Sequence, residues 1–143
     1  MEYSTPHMVM SGTHGELWLD GEYMAEAISF NAEVNLKNEE IKQVKKVFVG
    51  HKFVGAEGKG KMKLNHVDSV MVRKMSDNIK QGKGTPCTFI SKLDDPDAIG
   101  GERVVIRDVM FEKMILANWE THKPQEDEYD FYFSDYEVMD SVG

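Results

Sequence analysis

Residues 28–36 alternate without a break. Ile28, Phe30, Ala32, Val34 and Leu36 take one side, while Ser29, Asn31, Glu33 and Asn35, followed by Lys37, take the other. This two-residue period belongs to a strand with one buried and one wet face, because successive side chains of an extended backbone point to opposite sides. A helix would scatter the same residues around its whole circumference. Whatever else the chain does, it must supply a sheet with a layer against one face.

The flanking residues fit that demand. Leu17, Trp18 and Leu19 run into Asp20-Gly21, a pair that accepts positive φ at both centres of a tight hairpin turn. From 38 to 60 the pattern loosens. This stretch holds Glu39, Glu40, Lys42, Lys45 and Lys46, a short apolar run from Val47 to Val49 able to pair briefly, and Gly50, Gly55, Gly58 and Gly60. It reads as a long flexible insertion, the kind that carries function. Alternation returns at 61–67 with Met62 and Leu64 against Lys61 and Lys63.

Asp68 or Ser69 can cap a helix whose Val70, Met71, Met75 and Ile79 share one side, and Gly82 can end it. Cys87, Phe89, Ser91 and Leu93 alternate along another strand, which ends in the turn-rich Asp94, Asp95, Pro96 and Asp97. Residues 103–116 are rich in β-branched types and read as a strand bulged near Glu112 and Lys113, with a helix as the alternative. A last strand over 128–138 sets Tyr129, Phe131 and Phe133 against Asp130, Tyr132, Ser134 and Tyr136. The sum is five to seven strands and one helix, with no strand-helix-strand rhythm. The expected fold is mainly β: an antiparallel sandwich or small barrel with one flanking helix.

At 143 residues and 41% apolar, the chain suits a single domain over 1–143. Its 25 acidic and 17 basic side chains leave a net charge of −8, which disfavours stable binding to nucleic acid or anionic lipid. The N-terminus lacks the pattern of a signal peptide, and no apolar run approaches membrane-spanning length. A single cysteine, Cys87, cannot form an internal disulfide. These features suit a protein made in the cytoplasm, without a structural metal.

Chemistry is hard to find. The glycine-lysine stretches at 55–61 and 82–85 lack phosphate-loop spacing. Gly50 and Gly55 have the right interval, yet Ala56 and Glu57 stand where lysine and a hydroxyl residue should follow. His7, His14, His51, His66 and His122 form no local pair at ligand spacing. Pro96 interrupts the Asp94–Asp97 acids, and no closing glutamate completes a calcium loop. Cys87, beside Phe89 on a strand, reads as a buried, inert thiol. No catalytic residue, cofactor or metal is expected.

Charge is segregated along the chain. From Lys37 to Lys63 there are eight lysines against three glutamates; from Glu120 to Asp140 there are eight acids against one lysine. Opposite patches on one molecule favour head-to-tail contact, which closes into rings or runs on as open stacks. Two ordinary solvated surfaces would leave the same pattern.

Residues 11–34, 49–64, 89–120 and 130–140, taken in order, resemble the tail tube proteins of contractile phage tails, above all those of PBSX-like prophages and R-type bacteriocins. The likeness runs from about Ser11 to Asp140 and is poorest over 38–46. It implies a non-enzymatic structural protein, six copies of which form a ring whose inner strands join into one β-barrel, with rings stacked into a tube. It also implies an inter-subunit arm at about 38–60, offering Lys42, Lys45, Lys46, His51, Lys52, Gly55, Gly58 and Gly60. The candidate channel-lining residues are Ser29, Asn31, Glu33 and Asn35. The partners implied are further copies, a sheath protein, and baseplate and tape-measure proteins, within the tail of a virion or bacteriocin particle assembled in the host cytoplasm. Six chains would carry −48, repelling any nucleic acid in the bore. Two rivals are a monomeric barrel carrying a small apolar ligand and a hydrolase built on the acidic C-terminal strand.

Overall fold

Asp20 and Gly21 have φ of 52° and 86°. They form the expected two-residue turn between β1 (Gly15–Leu19) and β2 (Glu22–Tyr23). The structure, a computed structural model, describes residues 15–66, 70–93 and 102–140. The proposed helix caps Asp68 and Ser69 and the acids at 94–97 lie outside them.

The alternating strand is longer than its pattern. β3 (Ala27–Ile41) and β4 (Gly50–Asn65) pair antiparallel from Ala27↔Leu64 out to Ile41↔Gly50. The segment 38–60, expected as an irregular insertion, is therefore mostly the outer half of a two-stranded ribbon. A register shift at Lys37/Asn38 bends the pairing. Val47 to Val49, expected to pair briefly, lie instead in the turn between the two strands.

α1 (Val70–Lys80) buries Val70, Met71 and Met75. Ile79, expected on that face, is exposed at the helix end. Gly82, at φ 75°, ends the helix: its N–H donates to Ile79 O at 3.0 Å, and the Lys83 N–H donates to Asn78 O at 2.8 Å. These paired bonds satisfy the last carbonyls, and the left-handed residue they require is most easily glycine.

β5 (Cys87–Leu93), β6 (Glu102–Phe111), β7 (Glu126–Phe133) and β8 (Asp135–Asp140) complete the sheet. Its order is β2-β1-β5-β6-β7-β4-β3, with β8 also paired to β6. Two corners shape it. The β6 bulge falls at Asp108, φ 57°, earlier than the expected site at Glu112. The strand expected over 128–138 breaks at Ser134, so that β7 pairs with β4 and β8 with β6. Ser134 Oγ donates to Asp108 Oδ2 at 3.1 Å, which ties one corner to the other.

The core lies where the two halves of the bent sheet face each other. Phe89 from β5 meets Phe30 from β3 at 5.0 Å between ring centroids, and Phe131 from β7 at 5.1 Å. Phe111 adds edge-on contacts to Phe89 and Tyr129. Phe89, Tyr129 and Phe131 are fully buried, each contributing about 1.5–3 kcal/mol of transfer free energy. The mainly β fold with one helix agrees with the sequence reading.

Candidate functional site

The wet face of β3 continues across its neighbours. Ser29, Asn31, Glu33 and Asn35 are all exposed, and they stand opposite Lys63, Lys61, Lys59 and Glu57 of β4. Those lysines stand in turn opposite Glu128, Asp130 and Tyr132 of β7. Lys61 Nζ lies 3.7 Å from Glu128 and 3.9 Å from Asp130; Lys63 Nζ lies 3.8 Å from Glu126. Lys59 sits 5.7 Å over the Tyr132 ring. Asn31 Nδ2 donates to Glu33 at 3.2 Å. A hydrogen bond to Glu112 and the charge of that group raise the Tyr132 pKa. The result is a polar wall of alternating charge three strands wide.

This arrangement revises the charge argument. The lysine-rich and acid-rich segments are far apart in sequence, but β4 and β7 are neighbours. Lys61 and Lys63 therefore face the C-terminal acids within one chain. Only the lysines farther out, Lys37, Lys42, Lys45, Lys46 and Lys52, are left for a complementary surface elsewhere. No sequence signal of charge alone could show this. The shared alternation of Lys59, Lys61 and Lys63 with that of β7 could have done so.

The eight candidate arm residues divide between two settings. Gly58 and Gly60 lie in the packed half of the ribbon, beneath Phe133 and Phe131, where any Cβ would overlap the rings. Gly55 has open space around it. His51 and Lys52 sit on β4 opposite Glu40 and Glu39, and Lys42, Lys45 and Lys46 flank the end turn. That outer end is unusually apolar for an exposed element: Leu36, Phe53 and Val54 are more than half exposed, Phe48 89% and Val47 95%.

The reactive residue types occupy structural positions. Cys87 is buried, its thiol donates to Thr85 O at 3.3 Å, and burial pushes its pKa up to about 11, so it stays protonated and non-nucleophilic. Asp127 is buried between His66, 2.5 Å away, and Asn118, which donates at 2.8 Å. With Tyr129 Oη accepting the Ile115 N–H at 3.2 Å, these contacts pin the irregular 112–125 segment to β7. His51 is exposed, His122 lies in a turn with φ 65°, and His7 and His14 fall outside the described residues. Among the described residues no group of three or more His, Cys, Asp or Glu is gathered to hold a metal, and no helix is long and apolar enough to cross a membrane.

The family model described as phage tail tube protein matches residues 2–140. Two Bacillus subtilis (strain 168) proteins, phage-like element PBSX protein XkdM and uncharacterized protein YqbM, are each 34% identical over 135 residues, covering 93% of this chain and 92% of theirs. A solved Bacillus subtilis protein is 30% identical, with a TM-score of 0.52 over 90% of this chain and 94% of that one. The fold also matches chains from the tube-terminating cap of the anti-feeding prophage (TM-score 0.66, 6% identity, 90% and 89% coverage) and from its baseplate (0.62, 4%, 88% and 91%). With a family match across almost its full length and prophage relatives at this identity, the chain belongs to the phage tail tube protein family, among its PBSX-like members.

Proposed function

We propose that six copies of this chain close into a ring and that rings stack into the inner tube of a contractile tail, a shaft and conduit driven by contraction of an outer sheath. The observation that carries this reading is β3. It ends the strand order, so one long side of its 15-residue backbone meets no strand among the described residues. An edge of that length invites pairing with another chain, and ring closure uses it up by making the sheet continuous.

In this arrangement the polar wall faces the bore. Ser29, Asn31, Glu33 and Asn35 line it together with Lys59, Lys61 and Lys63. Five carboxylates, Glu33, Glu57, Glu126, Glu128 and Asp130, outnumber those three lysines. An acidic excess repels nucleic acid without gripping it, while the interspersed lysines keep the repulsion mild. The outer ribbon, with Lys42, Lys45, Lys46, His51, Lys52 and Gly55, serves as the arm between subunits. Structural neighbours from a tube cap and a baseplate fit a protein that assembles with other tail components. Sheath, baseplate and tape-measure proteins are the partners proposed, in a virion or bacteriocin tail assembled in the host cytoplasm.

The role is structural rather than enzymatic. The interior that a ligand carrier would leave open is filled by Phe30, Phe89, Phe111 and Phe131. The acidic strand that a hydrolase would use spends Glu126, Glu128 and Asp130 on lysines. Sedimentation and negative-stain imaging of concentrated protein test the proposal: sixfold rings or tubes are expected, and a monomer at every concentration contradicts it.

A further inference from the structure

Residues 112–125 cross from β6 to β7 as neither helix nor strand, and the isolated Glu120↔Lys123 bridge lies within the segment's own turn. Leu116 and Trp119 stand out in solvent, 70% and 78% exposed, while Met114 and Ile115 are only partly buried against the core. Burial of apolar surface, which fixes the rest of the domain, therefore holds this segment weakly.

Hydrogen bonds hold it instead. The Glu112 N–H donates to Asp130 O at 3.0 Å, and the Ile115 N–H to Tyr129 Oη at 3.2 Å. Asn118 Nδ2 donates to Asp127 Oδ1 at 2.8 Å and to Glu126 O at 3.2 Å, and Gln125 O accepts the His66 N–H at 3.0 Å. Asp127 Oδ2 faces His66 Nδ1. Asp127 is the one charged residue type buried among the described residues, so Asn118 and His66 stand where water would otherwise solvate its carboxyl group.

We propose that residues 112–125 form a strap that opens and closes as one unit, with Asn118 on Asp127 as its latch. A buried carboxyl oxygen that loses its donor is costly, although each bond made adds little net stability. The loss is relieved only when water reaches Asp127, and water reaches it only when the strap lifts. The strap is therefore either latched or open.

Its position gives the movement a consequence. Asn65↔Glu126 and Ala27↔Leu64 lie at the end of the β3–β4–β7 sheet away from the 42–49 turn. There Ile115 closes a narrow cleft against Leu64, Val70, Met71 and Tyr129. Latched, this end of the subunit displays Leu116 and Trp119; open, it uncovers Leu64 and Tyr129. The latch thus selects between two end surfaces. The device belongs to the single subunit and stands whether or not rings form.

Amide hydrogen exchange followed by NMR on the free subunit tests it. The Ile115 and His66 amides both donate across the strap boundary and should exchange at one common opening rate, at least tenfold faster than the Phe89 and Ile106 amides of the core strands. Asn118→Ala should speed Ile115 and His66 together by roughly tenfold and leave Phe89 and Ile106 unchanged. Asp127→Asn keeps an acceptor toward Asn118 and should stay within about twofold of wild type. Unchanged Ile115 and His66 rates in Asn118→Ala would overturn the latch, and acceleration of one amide alone would overturn the single unit. Equal acceleration of Phe89 and Ile106 would make Asn118 a contributor to global stability only, and would overturn the proposal as well.

Discussion

Phe131 closes over Gly60 so tightly that a Cβ at that position would overlap the ring and stand 2.5 Å from the Asn31 carbonyl oxygen. Gly60 thus lets β7 lay an aromatic ring across β4 where the sheet turns into the core. Gly60→Ala should destabilise the subunit by about 1–3 kcal/mol, because the backbone carbonyl cannot swing aside. Melting temperature should fall by roughly 4–12 °C. Gly55→Ala, with nothing near the added methyl, should stay within about 0.5 kcal/mol. Thermal unfolding of the two variants checks the contrast, and equal losses would contradict it.

Asp20 joins three elements. At the β1–β2 turn it accepts the Thr88 N–H of β5 at 2.7 Å and pairs with Lys74 of α1 at 3.0 Å. Asp20→Ala removes both contacts and puts alanine at φ 52°, so a loss of about 1–3 kcal/mol is expected. Asp20→Asn keeps an acceptor and tolerates the left-handed backbone, so it should cost roughly 1 kcal/mol or less. Urea unfolding of the two proteins measures the difference.

The raised Cys87 pKa makes a pH prediction. The folded thiol titrates near 11 and an exposed one near 9, so above pH 9 the unfolded chain loses its proton first. Stability from this group is complete below pH 9 and is lost as pH rises toward 11, by about 2–3 kcal/mol. The stability difference between wild type and Cys87→Ala, followed from pH 7 to 11, should shrink by that amount. A constant difference would contradict the burial of the thiol.

Lys42, Lys45 and Lys46 border the end turn, whereas Lys52 lies within paired β4. Trypsin should therefore nick free subunits at the first three well before Lys52, since cleavage follows local opening. In assembled tubes the turn should be protected. Equal cleavage in free and assembled protein would remove the contact role of the ribbon.

Much of the fold was legible because one face of each strand is buried. The 28–36 strand, the Asp20-Gly21 turn, the helix with its Gly82 stop and the β5 strand all carry signals that burial or backbone geometry imposes. Past Leu36 the signal fails for a physical reason. Lys37, Asn38, Glu39 and Glu40 pair with β4 while both faces of the ribbon meet solvent, so hydrophobic alternation no longer reports pairing. Gly58 and Gly60 read as loop residues because the rings that need them, Phe133 and Phe131, lie about seventy residues away. The break at Ser134 was hidden because polar–aromatic alternation continues through it. Face alternation put Ser29, Asn31, Glu33 and Asn35 on one polar face, their channel role was implied only by the family resemblance, and the lysine–carboxylate wall beside them needed the β4–β7 register.

The most direct measurement is cryo-electron microscopy of intact particles at a resolution that traces strands. The account predicts this chain in the innermost wall as sixfold rings, with β3 of each copy hydrogen-bonded to a strand of its neighbour and Ser29, Asn31, Glu33 and Asn35 turned to the bore. Finding the chain outside that wall, or finding β3 unpaired with those four side chains facing outward, would contradict it.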